Sequence, residues 1–187
     1  PTPDYVPVFP RDHGSHPEHG IEWWYWVGHL NAVDSGKEFG FQSTIFRLAG
    51  DPEKSGVTQS EPFGNQNLFL VHTALSDFEE EKYIHHERVI REGWQARSSE
   101  KTLSLTVGGV KVNLLEEEDG HKVVTRYPDG AKLELTFKPT KPLVSFGDRG
   151  LSRKGADPAS VSWYWSYTRL QAKGTLFQNG EEIAVEG

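Results

Sequence analysis

Cysteine and methionine are both absent from this chain of 187 residues. Without cysteine there can be no disulfide, no thiolate nucleophile and no thiolate metal site, although the compartment is not decided by that absence. Long apolar runs are missing too: no stretch approaches a membrane-spanning helix, and no signal-like segment opens the chain. The first residue is proline, so we expect a processed or cut start with any export signal gone; as a separate expectation, the location is secreted or periplasmic. Basic blocks are also lacking. A net charge of −7 argues against nucleic-acid backbones and anionic membrane surfaces as partners. No serine stands in a G-x-S-x-G turn, and no phosphate-cradling glycine loop occurs.

What the chain does have is aromatic residues in short alternating runs. Two-residue turns at Gly108-Gly109, Asp119-Gly120, Asp129-Gly130 and Asn179-Gly180 suit the positive φ of hairpin loops. Turns about ten residues apart predict an antiparallel meander that closes on itself. The expected fold is therefore all-β, a barrel or strongly curved sandwich, with residues 1–187 forming one domain. Residues 21–31 and 38–48 read as a hairpin, residues 67–77 as an apolar strand and 83–92 as a further strand. Residues 49–66 read as a polar loop. Residues 139–160 interrupt the meander as a structureless stretch, a lid, a binding loop or a disordered segment, and the aromatic theme returns over 161–171.

The first hairpin carries the candidate site. Glu22 stands against Trp23, Trp24, Tyr25 and Trp26. A carboxylate in such company is either paired with a cation or has its proton affinity raised by burial. Trp24 and Trp26 share its face of the strand. Gln42 and Thr44, next to Phe46, read as polar handles in an apolar pocket. His72 falls on the face of Leu68, Leu70 and Ala74, either as a satisfied core histidine or as an acid–base group beside a cavity. Tyr164 and Trp165 offer further aromatic wall. Arg47 and Arg169 are the cations that would neutralise Glu22 and make the cluster structural. His13, His16 and His19 fall three apart, a count that suits zinc. Gly14, Pro17 and Gly20 deny that segment a regular geometry, so we expect those histidines to hydrogen-bond a buried turn, with neither metal nor cofactor.

Four blocks resemble a known family: DHGSHPEHGIEWWYWVGHL from Asp12, GKEFGFQSTIFR from Gly36, LVHTALSD from Leu70 and SWYWSYTRLQAKGTL from Ser162. Together they are similar to the signature of the AttH-like proteins and carotenoid hydratases, the AttH/CrtC group. The resemblance implies a lipocalin-like β-barrel, followed in the family by a W-x-D-x-E block and a second lipocalin-like domain, here expected in cis or as another chain. It also implies hydratases acting on isoprenoid double bonds and relatives labelled as secreted hydrolases. Those hydratases carry a histidine two residues before a tryptophan, where this chain has Trp163 before Trp165.

Three functional readings follow. In the first, the domain acts on an apolar isoprenoid- or polyketide-like molecule by acid-assisted hydration or rearrangement. Glu22 or His72 then handles the proton, and indoles shelter the cation. In the second, the same cavity binds or carries such a molecule without chemistry. In the third, the domain is a structural half that docks a second barrel.

Overall fold

The computed structural model describes residues 5–50, 67–116, 120–157 and 160–187. The loop expected over 49–66, the Asp119-Gly120 turn and the acidic run 116–118 fall wholly or partly outside them. In chain order the strands are β1 (Ile21–Ala32), β2 (Glu38–Leu48), β3 (Leu68–Asp77), β4 (Lys82–Arg91), β5 (Ala96–Ser98), β6 (Ser104–Val107), β7 (Val110–Leu114), β8 (His121–Arg126) and β9 (Lys132–Pro139). The short β10 (Val144–Ser145), β11 (Leu151–Arg153), β12 (Val161–Trp163) and β13 (Trp165–Ser166) follow, then β14 (Leu170–Gln178) and β15 (Glu181–Glu186).

Eleven strands form one antiparallel sheet in the order β4-β3-β2-β1-β15-β14-β9-β8-β7-β6-β5. The expected barrel is the fold found, nearly closed and lipocalin-like. Period-two alternation explains why the sheet curls around a core. Leu133, Leu135 and Phe137 of β9 are buried, as are Val110 and Val112 of β7, while their neighbours face outward. Inside the sheet, three buried hydroxyls find partners: Ser43 Oγ lies 2.7 Å from Thr125 Oγ1, and the Tyr127 hydroxyl donates to Ala74 O at 3.2 Å.

Turn chemistry sets the hairpins. Asn179 and Gly180 have φ of 55° and 82° between β14 and β15, the left-handed pair that a type I′ turn requires. Gly108 does more than turn the chain. Its φ is 54°, and a Cβ placed there would come within 2.6 Å of Ile90 and 3.0 Å of Val71. The β6–β7 turn can therefore nest against β3 and β4, bringing the two ends of the sheet together.

One seam of the barrel stays open. β1 pairs with β2 along nearly its whole length, but with β15 only at Asn31↔Glu186 and Ala32↔Val185. From Ile21 to Leu30 the other edge of β1 has no ladder partner among the described residues. Chain segments before β1 and between β9 and β14 come to that seam. The second of these was expected as an irregular loop and contains two small two-stranded sheets, β10–β13 and β11–β12. The aromatic run 161–171 is correspondingly not one strand with two alternating faces. It breaks into β12, β13 and the start of β14, because its residues pair with the excursion before they join the barrel.

Candidate functional site

A cavity of about 780 Å³ opens at the unpaired stretch of β1. Its wall includes Glu22, Trp24 and Trp26 from β1, His13 and His16 from the preceding arm, and His121 from β8. Trp163, Tyr164, Trp165 and Tyr167 of the excursion complete it. Two of its indole N–H groups have partners within the site. Trp24 Nε1 donates to His13 O at 3.0 Å, and Trp26 Nε1 donates to His121 Nδ1 at 3.4 Å. An indole N–H is a donor only, so Nδ1 is the unprotonated nitrogen of that imidazole.

The arm is fastened by a charge cluster. His16 Nδ1 donates to Glu22 Oε1 at 2.8 Å and its Nε2 to Asp12 Oδ1 at 3.0 Å. The His16 backbone N–H also donates to Glu22 Oε1, at 2.7 Å. Arg47, 2% exposed and directly opposite Glu22 in the β1–β2 register, donates from Nε to Glu22 Oε2 at 2.6 Å. Its Nη2 reaches the carbonyls of His16 and His19, both at 2.8 Å. Burial alone pushes the His16 imidazole down, but hydrogen bonds to Glu22 and Asp12 outweigh it and hold the pKa above the usual histidine value. For Asp12, burial pushes up. Hydrogen bonds from Tyr5, the Val8 amide and His16 outweigh that and hold the carboxyl below its usual range. The Tyr5 phenol is pushed up to about 12 by burial and by its bond to Asp12.

Three hydroxyls meet at the outer side of β1. Tyr25, on the outer side of β1, has its oxygen 3.1 Å from Tyr164 Oη and donates to Ser166 Oγ at 3.0 Å. Tyr164 is stacked on Phe146 at 4.6 Å between centroids, and Lys154 Nζ sits 4.6 Å above its ring.

The residues singled out from sequence divide between two faces of the sheet. Glu22, Trp24, Trp26, Tyr164 and Trp165 line the cavity. Arg47 stands behind Glu22 and pairs with it, as the structural alternative anticipated. Both Glu22 oxygens accept hydrogen bonds from N–H groups of His16 and Arg47, so the carboxyl is held inside a charge cluster. Arg169 is exposed and makes no ion pair with Glu22. Gln42, Thr44, Phe46 and His72 are not in the cavity wall. They lie on the outer face of β2 and β3, where Thr44 pairs with His72 and His72 with Glu87. The pleat leaves no choice here. Phe41, Ser43, Ile45 and Arg47 face the core from β2, so the intervening residues point the other way, Thr44 being covered there by its neighbours. Gln42 Nε2 does hold Thr44 Oγ1 at 3.1 Å, and His72 Nε2 lies 3.4 Å from Glu87 Oε2.

His121 was missed from sequence. The signal was present in β8, HKVVTR, where His121 alternates with buried Val123 and Thr125. An imidazole on the buried face of a strand is the same pattern that drew attention to His72.

A model of the AttH-like family matches residues 1–187. No curated protein sequence matches. An AttH protein of Nitrosomonas europaea superposes with a TM-score of 0.81 at 30% identity, over 100% of this chain and 54% of that one. Kievitone hydratase from Nectria haematococca superposes with a TM-score of 0.62 at 16% identity, over 95% of this chain and 47% of that one. The chain thus spans about half the length of these solved relatives.

Proposed function

This chain belongs to the AttH-like family, and on that footing we propose that its cavity binds an apolar small molecule of isoprenoid- or polyketide-like character. The observation that carries the reading is the cavity itself. Its volume of about 780 Å³ falls among ligand pockets, roughly 300–1,000 Å³, and its wall combines a band of aromatic side chains with a titratable cluster and several hydroxyls. Trp24, Trp26 and Trp165 supply the apolar contact, with Tyr164 beside them. Tryptophan emission during titration with apolar ligands tests this. Saturable change, weakened when Trp24 is replaced by alanine, is the expected result; a response that never saturates would sink the reading.

A catalytic reading is favoured by one further feature: the titratable cluster sits in the same wall. The proton shared between His16 Nδ1 and Glu22 Oε1, 2.8 Å apart, is the one available for acid-assisted hydration or rearrangement of an unsaturated bond. Trp24 and Trp26 beside it would shelter the developing cation. The fold shared with kievitone hydratase agrees with a hydratase-type scaffold. His72, on the outer face, takes no part. Turnover lost in Glu22→Gln with ligand binding retained supports catalysis, whereas a wild-type protein that binds and never turns over leaves a carrier.

The second lipocalin-like domain implied by the resemblance belongs to the same proposal. Ile21, Leu48, Leu68 and Val89 are exposed along the outer face of β1–β4 and offer it an apolar surface.

A further inference from the structure

The three hydroxyls in the cavity wall can be counted proton by proton. Tyr25 has one O–H, and it is spent on Ser166 Oγ, 3.0 Å away. The 3.1 Å contact between the two phenols must then use the proton of Tyr164, with Tyr25 Oη accepting. The chain of hydrogen bonds therefore has a direction, from Tyr164 through Tyr25 to Ser166. Its last member, Ser166 Oγ–H, still has a proton to give, and no acceptor for it occurs among the described residues. All three side chains line the cavity.

The arrangement is held in place before any ligand arrives. Tyr164 is stacked on Phe146 and lies under Lys154. Its backbone N–H donates to Gly150 O at 2.8 Å, and its carbonyl accepts from Phe146 N at 2.9 Å. Ser166 lies in β13, opposite Val144. A donor fixed in this way at the edge of an aromatic wall costs little further ordering when it meets an acceptor.

Resting on the binding reading above, we propose that Ser166, oriented by Tyr25 and Tyr164, is the polar anchor of the cavity and takes a carbonyl or hydroxyl oxygen of the ligand. The ligand class narrows accordingly. It is an apolar skeleton that carries an oxygen function, not a plain hydrocarbon. The anchor stands on the outer side of β1, whereas the His16–Glu22 pair belongs to its inner side. An oxygen held by Ser166 would leave the rest of the skeleton to the aromatic side chains of the wall.

The test uses three isoprenoid probes of one carbon skeleton: geraniol, citral and the oxygen-free myrcene. Affinities are measured by calorimetry on the whole chain and on the Ser166→Ala and Tyr25→Phe variants, with thermal melting to verify folding. The expected result is a preference for geraniol and citral over myrcene of roughly tenfold, the worth of about one hydrogen bond. Both variants should bring that ratio close to one while the affinity for myrcene stays unchanged. Equal affinity for all three in the wild-type chain overturns the anchor and leaves the binding reading standing. Variants that weaken all three probes alike also overturn it, since that is how a mere latch between β13 and β1 would behave. Should Tyr25→Phe fail to fold, Ser166→Ala with Tyr164→Phe decides the same question. No binding by any probe removes the binding reading, and the anchor with it.

Discussion

Glu22 and Arg47 face each other directly across the β1–β2 hairpin, with Arg47 Nε 2.6 Å from Glu22 Oε2. Through its other nitrogen the same guanidinium holds the carbonyls of His16 and His19. One buried arginine thus fastens the segment before β1 to the mouth of the barrel. The ion pair sits beside the cavity and does not fill it, so a charged wall and an aromatic hollow coexist.

Replacing Arg47 with leucine leaves a buried carboxylate and two carbonyls without their donor. The expected loss is about 3–5 kcal/mol, read as a lowered midpoint in urea denaturation. Combining Glu22→Gln with Arg47→Met should recover part of that loss, because the stranded charge is then gone.

The arm should respond to pH from both sides. His16 has a folded pKa raised above its ordinary 6.5. Its contribution is complete below that value and is lost as pH rises through the higher folded value. Asp12 has a folded pKa lowered from 3.8. Its contribution is complete above 3.8 and is lost as pH falls through the lower folded value. Hydrogen exchange at the Ser15 and His19 amides should therefore be most strongly protected between these limits, once corrected for the intrinsic rate. His16→Asn should abolish the alkaline loss; protection that keeps rising past neutral pH in the wild-type chain contradicts the cluster.

The sequence made the strands legible, because alternation and turn residues are local. β2 occupies the predicted residues, β1 and β3 differ from expectation by a residue at one end, and β4 is shifted by one residue at both. Which face of a strand looks inward is not local. Leu68, Leu70 and His72 share a face as predicted, but that face is the outer one, since apolar side chains also cover the outside of this barrel. Glu22 drew attention correctly as a costly residue. Its partners His16 and Arg47 come from a glycine- and proline-broken arm and a neighbouring strand, and only the assembled register brings them together. The anchor hydroxyls were hidden for a similar reason: Tyr25 and Ser166 lie 141 positions apart.

His72→Ala should leave ligand affinity within about twofold of wild type, since the side chain lies outside the cavity. A tenfold loss in the same calorimetric titration would place His72 back among the binding residues.

Gly108→Ala should destabilise the barrel by more than about 1 kcal/mol. The position combines a φ of 54° with a Cβ that would sit 2.6 Å from Ile90. Chemical denaturation reads the effect, and Gly36→Ala is the useful comparison. Gly36 also has a positive φ, of 74°, but open space around it, so its cost should be backbone strain alone and visibly smaller.

Calorimetry of geraniol binding at several temperatures bears most directly on the aromatic hollow. One site per chain is expected, with a negative heat-capacity change from buried apolar surface, and with affinity lost when Trp24 and Trp26 are both replaced by alanine in a variant that still folds. Saturable binding that survives this double replacement, or binding with no heat-capacity change, would contradict it.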